Sequence, residues 1–268
     1  MSMYLVDSTD MTAIADAIRQ KDGTQTTMTV SQMPTRIQNI PTGGGTDYLA
    51  ERITDTLTSY TIPNSVTGLS AYSFYNQPLT SMTFPSSLTV IGDYSFYYCQ
   101  LTSLFIPKTV TNIGQYAFFG QHNTHWDYLL TSITFDDNMN LTCSVQAFGE
   151  NHNLTTLNNF KLENFPNRTL PNALFANSGL VGDISLGSSG TIGQRAFNNA
   201  YANGYLYIHL TQTDSSILTT SYSFGAGTST TNRSFNFDHC KLVVPVGMLS
   251  DYQSAFHNYS SIMMEETT

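Results

Sequence analysis

Leu79-Thr80-Ser81-Met82-Thr83-Phe84-Pro85, followed 17 residues after its leucine by the phenylalanine of Ser95-Phe96, decides how this chain folds. Before it stands Leu57-Thr58-Ser59-Tyr60-Thr61-Ile62-Pro63, leading to Ser73-Phe74. After it stands Leu101-Thr102-Ser103-Leu104-Phe105-Ile106-Pro107, leading to Ala117-Phe118, so the three copies lie 22 residues apart. Looser copies end at Ala147-Phe148, Leu174-Phe175, Ala196-Phe197 and Ser223-Phe224. A fixed period of this length specifies a solenoid, because no single unit can bury its apolar face without stacked neighbours.

Within residues 79–100 the spacing of Leu79, Met82 and Phe84 sends those side chains to the inner side of a short strand, leaving Ser81 and Thr83 outside. Pro85 has no N–H to donate and ends the strand. Ser86 and Ser87 turn the chain toward Leu88 and Ile91. Gly92 predicts a tight or left-handed backbone before the Asp93-Tyr94-Ser95-Phe96 turn, with Phe96 as the large inward plug. Ile113, Gly114 and Phe118 fill the same places one coil later, as do Ile192, Gly193 and Phe197 further on.

The pattern L-T-S-[IMLY]-x-[IF]-P followed by I-G-x-x-[AS]-F closely resembles the BspA-like leucine-rich repeat, over roughly residues 49 to 264. The resemblance implies a β-rich α/β solenoid of about seven coils over residues 49–239. A C-terminal cap over 240–268 is expected to close it, with Lys241-Leu242-Val243-Val244-Pro245 as strand and Tyr252, Phe256 and Tyr259-Ser260-Ser261-Ile262 in a helical segment. An end coil must differ from the rest, since an uncapped stack exposes both core and strand edges.

Composition fits a β-rich stack faced with hydroxyls and amides: only 11% of residues are charged, and Thr, Ser, Asn, Tyr and Phe abound. The formal charge of −9 argues against nucleic acid and anionic membranes as partners, both of which call for basic patches. No stretch approaches the roughly 18 to 20 apolar residues of a membrane span.

Residues 1–42 carry no repeat and read as a small helical module. Asp7, Ser8 or Thr9 caps a helix whose Met11, Ile14, Ala15 and Ile18 share a face and which ends near Gly23. Thr26 to Val30 is extended, and Ser31 caps a second helix carrying Met33, Ile37 and Ile40; residues 43–48 form a Gly-rich linker. So short a module cannot bury much surface alone, so Ile14, Ile18, Met33, Ile37 and Ile40 are expected to anchor it by oligomerising or docking. Its sequence, including Tyr4-Leu5-Val6-Asp7-Ser8-Thr9-Asp10, Ile14-Ala15-Asp16-Ala17-Ile18-Arg19 and Ile37-Gln38-Asn39-Ile40, resembles a module at the N-termini of phage and prophage structural proteins. That resemblance implies attachment to other virion proteins and a homo-oligomer, with a trimer favoured. Asp7, Asp10 and Asp16 interrupt any secretory h-region, which fits a particle component made in the bacterial cytoplasm better than a secreted adhesin.

The sequence offers few sites for chemistry. Cys99, Cys143 and Cys240 make no even disulfide framework and read as packing residues, with Cys143 in the slot of Ile91 and Ile113. Gly120 to Tyr128 adds about seven residues to the third unit and holds the single tryptophan. His122, His125 and Asp127 could be drawn there as a metal or catalytic trio, but an inserted surface loop is the simpler reading, with His122, His125, Trp126 and Tyr128 as contact residues. Asp136-Asp137-Asn138 with Asn140 lacks the spacing of a calcium loop, the glycosylation sequons arise readily in an Asn- and Thr-rich chain, and no nucleophile elbow or phosphate loop occurs. Glu150 with His152, and Glu163 with Arg168, read as solvated turn residues.

The expectation is therefore a non-enzymatic protein without metal or cofactor. Its outward strand residues Ser59, Thr61, Ser81, Thr83, Ser103, Phe105, Ser132 and Thr134 would form one binding face. As a phage fibre, baseplate or decoration protein it would offer that face to a host cell-surface protein or glycan. The alternative is a bacterial surface adhesin or interaction scaffold. A glycan-cleaving enzyme would need convergent carboxylates in a cleft, and the acidic residues are sparse and scattered.

Overall fold

The computed structural model describes residues 58–198, 203–224 and 238–267, together with the backbone of a strand at Asp47–Leu49. The helical module expected over residues 1–42, with Ile14, Ile18, Met33, Ile37 and Ile40, lies outside the described residues. The sheet begins inside the stretch read as linker, because Asp47–Leu49 pairs in parallel with Val66–Leu69.

Each unit gives two short strands and a turn, and all three join their counterparts one coil away. The first strand column runs through Ser59–Thr61, Ser81–Thr83, Ser103–Ile106, Ser132–Phe135 and Thr156–Asn158. It goes on through Gly182–Gly187, Leu206–Leu210, Cys240–Val244 and Met263–Glu265. Pairing is parallel throughout, and Thr102 N–H to Thr80 O (3.3 Å) and Val181 N–H to Thr155 O (3.2 Å) join its segments. The second column holds Asp47–Leu49, Val66–Leu69, Val90–Ile91, Asn112–Ile113 and Thr142–Cys143, with Leu69, Ile91, Ile113 and Cys143 in register. It resumes with Thr169–Leu170, Gly190–Ile192 and Tyr222–Phe224.

The third side has no strands yet is bonded just as regularly. Phe74 N–H donates to Ser95 O (2.7 Å), Phe96 to Ala117 O (2.8 Å), Phe118 to Ala147 O (2.8 Å) and Phe175 to Ala196 O (3.0 Å). Residues two before and two after each phenylalanine take positive φ: Tyr72 and Asn76, Tyr94 and Tyr98, Tyr116 and Gly120, Gln146 and Glu150. The alternation aims every second N–H along the stack, as in Tyr72 N–H to Asp93 O (2.9 Å) and Asn76 N–H to Tyr97 O (2.8 Å). A left-handed residue other than glycine costs about 1–2 kcal/mol, which the bonds to the next coil offset.

The left-handed positions thus fall on the residues flanking each phenylalanine, tyrosines prominent among them, and not, as the sequence reading allowed, on Gly92. Gly92 is needed for closeness: a Cβ there would lie 2.6 Å from the Leu69 carbonyl oxygen of the preceding coil.

Inside, Phe74, Phe96, Phe118, Phe148, Phe175 and Phe197 stack ring on ring, with successive centroids 5.1, 5.0, 5.5, 5.6 and 5.8 Å apart. Three residues after each of the first five lies a buried polar or thiol side chain: Gln77, Cys99, Gln121, Asn151 and Ser178. Asn151 Nδ2 donates to the carbonyls of Phe118 and Phe148 (2.9 Å each), and its Oδ1 accepts from Gln121 N–H (2.8 Å). Gln121 Nε2 donates to Phe96 O (2.6 Å) and Cys99 Sγ to Phe74 O (3.0 Å). Cys99, Gln121 and Asn151 thus satisfy carbonyls that the tight turns direct inward, where leaving them unpaired is expensive.

Phe224 does not continue the phenylalanine stack as its sequence position suggests. It lies in a strand in register with Ile192 and packs against Phe256 (5.0 Å) and Tyr259 (5.3 Å) of the C-terminal segment. The rule that a small residue precedes the plug misplaces it, because Tyr222 and Phe224 are successive inner positions of one strand. The end of the chain is a strand, a helix at Leu249–Ala255, and a last strand at Met263–Glu265 that returns to the same sheet. Glu265 accepts from Gly247 N–H (2.9 Å) and Leu249 N–H (3.4 Å), fixing the start of that helix.

Candidate interaction surface

The strand residues singled out in the sequence share one outward face. Ser59 pairs with Ser81, Thr61 with Thr83, Ser103 with Ser132 and Phe105 with Thr134. Thr156 and Asn158 extend the rows. The face is polar and nearly bare of rings, Phe105 (52% exposed) being the one large apolar side chain among the strand residues named.

The turn side is different, and sequence reasoning passed it over. Tyr72, Tyr94 and Tyr116 form one stacked column, with centroids 4.9 and 5.0 Å apart. Tyr75, Tyr97 and Phe119 form a second, at 5.3 and 5.1 Å with ring planes within 3° of parallel. The two columns touch through Tyr94 and Tyr97 (5.4 Å) and through Tyr116 and Phe119 (5.2 Å). The signal was legible: aromatic residues recur at the same offsets from Phe74, Phe96 and Phe118. Burial, followed by a hydrogen bond with Tyr98, pushes the Tyr97 phenol well above its ordinary value, so its hydroxyl stays a neutral donor and acceptor.

The insertion closes this aromatic surface at one end. His122 and Tyr128 make an antiparallel bridge, and Leu129 N–H donates to Gln121 O (2.8 Å). Asn123 ties the tip: its Oδ1 accepts from His125 N–H (2.9 Å) and Asp127 N–H (3.0 Å), and its Nδ2 donates to Asp127 Oδ2 (2.8 Å). Trp126, at φ 64° and 59% exposed, stacks over His122 at 4.2 Å. His122 in turn lies 4.5 Å from Tyr98, whose ring passes 2.7 Å from where a Cβ on Gly120 would sit. Tyr128 packs on His152 at 3.6 Å. Of the sequence-proposed residues, the structure joins His122, Trp126 and Tyr128 in one aromatic group, and His125 is exposed at the tip. A groove of about 300 Å³ runs beside them, lined by Asn76, Gln77, Pro78, Tyr98, Gln100, His122, Asn123 and Thr124.

Other titratable groups are spoken for. Cys99, Cys143 and Cys240 are buried thiols that form no disulfide, and burial pushes the Cys99 thiol up to about 12. Asp136 accepts from Lys108 N–H (3.2 Å) and Asp137 N–H (2.8 Å), which hold its carboxyl below the ordinary range and make it a turn residue. Glu150 and His152 pair at 3.0 Å and are more enclosed than the solvated turn the sequence suggests, because Asn177 also donates to Glu150. On the outer face of the C-terminal sheet His209 meets Asp183 (2.7 Å) and Glu266 (3.8 Å) beside an open groove, but these carboxylates are 70% and 62% exposed and lack the enclosure of a catalytic pair. Among the described residues no group of three or more His, Cys, Asp or Glu could hold a metal ion, and no helix is long and apolar enough to cross a membrane.

Comparison with known proteins bears on the repeat itself. A solved leucine-rich repeat protein from Bacteroides ovatus ATCC 8483 is similar over 78% of this chain, at 17% identity and a TM-score of 0.37. This chain covers 60% of that protein's length. No curated protein matches. The family model for the BspA type leucine rich repeat region matches in six copies, over residues 52–169 and 127–224. Because that match spans more than half of the chain and its repeats are the coils described above, the chain belongs to the BspA-type leucine-rich repeat family.

Proposed function

We propose that this chain acts by contact and not by catalysis, as an adhesion or protein-interaction repeat whose aromatic turn side is the contact surface. The observation that carries the reading is the pair of ring columns on the turn side, running from the exposed Tyr72 through half-buried rings to Phe119 and joined through Tyr98 to the exposed Trp126. Aromatic rings fixed by stacking lose little freedom on binding, and such residues dominate contact energies. The strand face, expected from the sequence to bind, offers mainly hydroxyls that water satisfies equally well.

The finer reading, a virion fibre or decoration protein, rests on residues 1–42. Neither the family match nor the structural neighbour supplies a phage module, and the family match is more in keeping with the alternative of a bacterial surface adhesin or scaffold. Repeated weak contacts on a rigid rod gain strength when many copies act together.

Beads coated with the full chain, tested for retention on epithelial monolayers and on bacterial lawns, examine this directly. Retention should fall at least about tenfold when Tyr72, Tyr94 and Tyr116 are replaced together by Ser. An unchanged triple variant moves the contact to the strand face. No retention of the unaltered chain on either surface sinks the adhesion reading.

A further inference from the structure

The groove beside the insertion differs from the rest of the aromatic surface, and its lining defines a ligand. Two kinds of group meet there: ring faces, from Tyr98 with Trp126 adjoining, and uncharged amides and hydroxyls, from Asn76, Gln77, Gln100, Asn123 and Thr124. No charged side chain lines it. A pocket of that make-up suits a molecule with an apolar flat face and many neutral hydroxyls.

His122 adds a second, independent observation. It is 8% exposed, and its Nδ1 lies 2.7 Å from the Asn123 carbonyl oxygen. A carbonyl can only accept, so Nδ1 carries the proton, and in the neutral ring Nε2 is left as a bare acceptor. Nε2 is buried with no hydrogen-bond partner. A buried acceptor without a donor is costly, and a ligand hydroxyl is the simplest group to relieve it. Trp126, which is 59% exposed on the turn tip, stacks on the histidine ring beside it.

From these we infer that the Tyr98–His122–Trp126 groove is a binding site for a neutral saccharide, a hexopyranose unit lying on the rings with one hydroxyl donating to His122. The inference rests on the contact reading above and narrows its partner to an uncharged glycan at this end of the aromatic surface. An anionic glycan is disfavoured by the absence of any cationic side chain in the lining and by the chain's formal charge of −9.

Because the chain has a single tryptophan, its emission reports this site alone. The full chain is titrated with chitotriose, lactose, mannotriose and cellotriose, with 3′-sialyllactose and an N-acetylated tripeptide amide as contrasts, to about 10 mM. At least one neutral oligosaccharide should give a saturable change in emission. Calorimetry should then show its affinity weakened about tenfold or more in Trp126→Ala and in His122→Phe, which keeps the ring but removes the acceptor. Thermal melting of both variants near that of the unaltered chain separates lost binding from lost folding. Should His122→Phe unfold, Asn76→Ala with Gln100→Ala, which line the same groove, reads the same site. No saturable change with any neutral sugar, or change only with the tripeptide or the sialylated sugar, overturns the inference. If the beads still adhere through Tyr72, Tyr94 and Tyr116 while every sugar fails, the contact reading stands and only the saccharide site falls.

Discussion

The turn side before the insertion and the turn side after it share one backbone but not one surface. Up to Phe119 the two outward offsets carry Tyr72 and Tyr75, Tyr94 and Tyr97, Tyr116 and Phe119. Beyond it they carry Gln146 and Gly149, Ala173 and Ala176, Arg195 and Asn198. The left-handed conformation persists at Gln146, Ala173 and Arg195, and the phenylalanine core continues to Phe197. The fold therefore does not require aromatic rings at the outer offsets. Their confinement to the coils next to the insertion is a property of the surface, which is why function is sought there.

The comparison breaks most easily at the boundary between core and surface columns, which are neighbours in sequence at Phe118 and Phe119. Phe118 is wholly buried between Phe96 and Phe148, so Phe118→Ala should cost about 3–5 kcal/mol, or very roughly 10 °C in melting midpoint. Phe119 is half-buried and stacks on Tyr97, and Phe119→Ala should cost only about 1 kcal/mol. Chemical denaturation of both variants measures the gap. Equal losses would mean that the outer column is part of the core.

A second contrast sets Gly120, at the edge of the insertion, against Gly149 in the following coil. Gly120 has φ 61° and lies under the Tyr98 ring, whereas a Cβ on Gly149 would only press the Phe119 ring at 3.3 Å. Gly120→Ala should cost about 1–3 kcal/mol and displace Tyr98 from His122, and Gly149→Ala well under that. Near-ultraviolet circular dichroism reports the ring displacement. An unaltered aromatic spectrum in a stable Gly120→Ala would show that Gly120 does not seat Tyr98.

These contrasts also mark what the sequence could and could not convey. Ile91, Ile113, Cys143 and the phenylalanine plugs were readable because burial demands similar residues at fixed spacing. The left-handed tyrosines were not, since Tyr94 and Tyr98 are unfavourable there in isolation and only bonds to the next coil hold them. The inner column of Cys99, Gln121 and Asn151 was hidden for a related reason: it bonds to main-chain carbonyls, which leave no residue pattern. Phe224 was misplaced because near the cap the small-residue rule and the strand register point to different slots. The outer columns at Tyr72 and Tyr75 were visible as a recurrence, but outward aromatics attract less notice than core positions.

The smallest effect expected, and the one most specific to the outer columns, is alkaline. Tyr97 is raised by burial and by its bond with Tyr98, while the unfolded phenol ionises near pH 10. A folded-state value above the unfolded one contributes stability that is complete below about pH 10 and is lost as pH climbs through the folded value. Tyr60, Tyr94, Tyr222 and Tyr252 are raised as well, as are the Cys99 and Cys143 thiols, so the unaltered chain should weaken progressively above neutral pH from several sources. Tyr97→Phe removes one of them without removing the ring. At pH 7 it should cost no more than about 1 kcal/mol, the worth of one hydrogen bond. Between about pH 10 and 11.5 its denaturation midpoint should fall less steeply than that of the unaltered chain. Parallel slopes would mean that Tyr97 ionises as freely in the folded chain as in the unfolded one, and that the columns lie on the surface as independent rings and not as a packed layer.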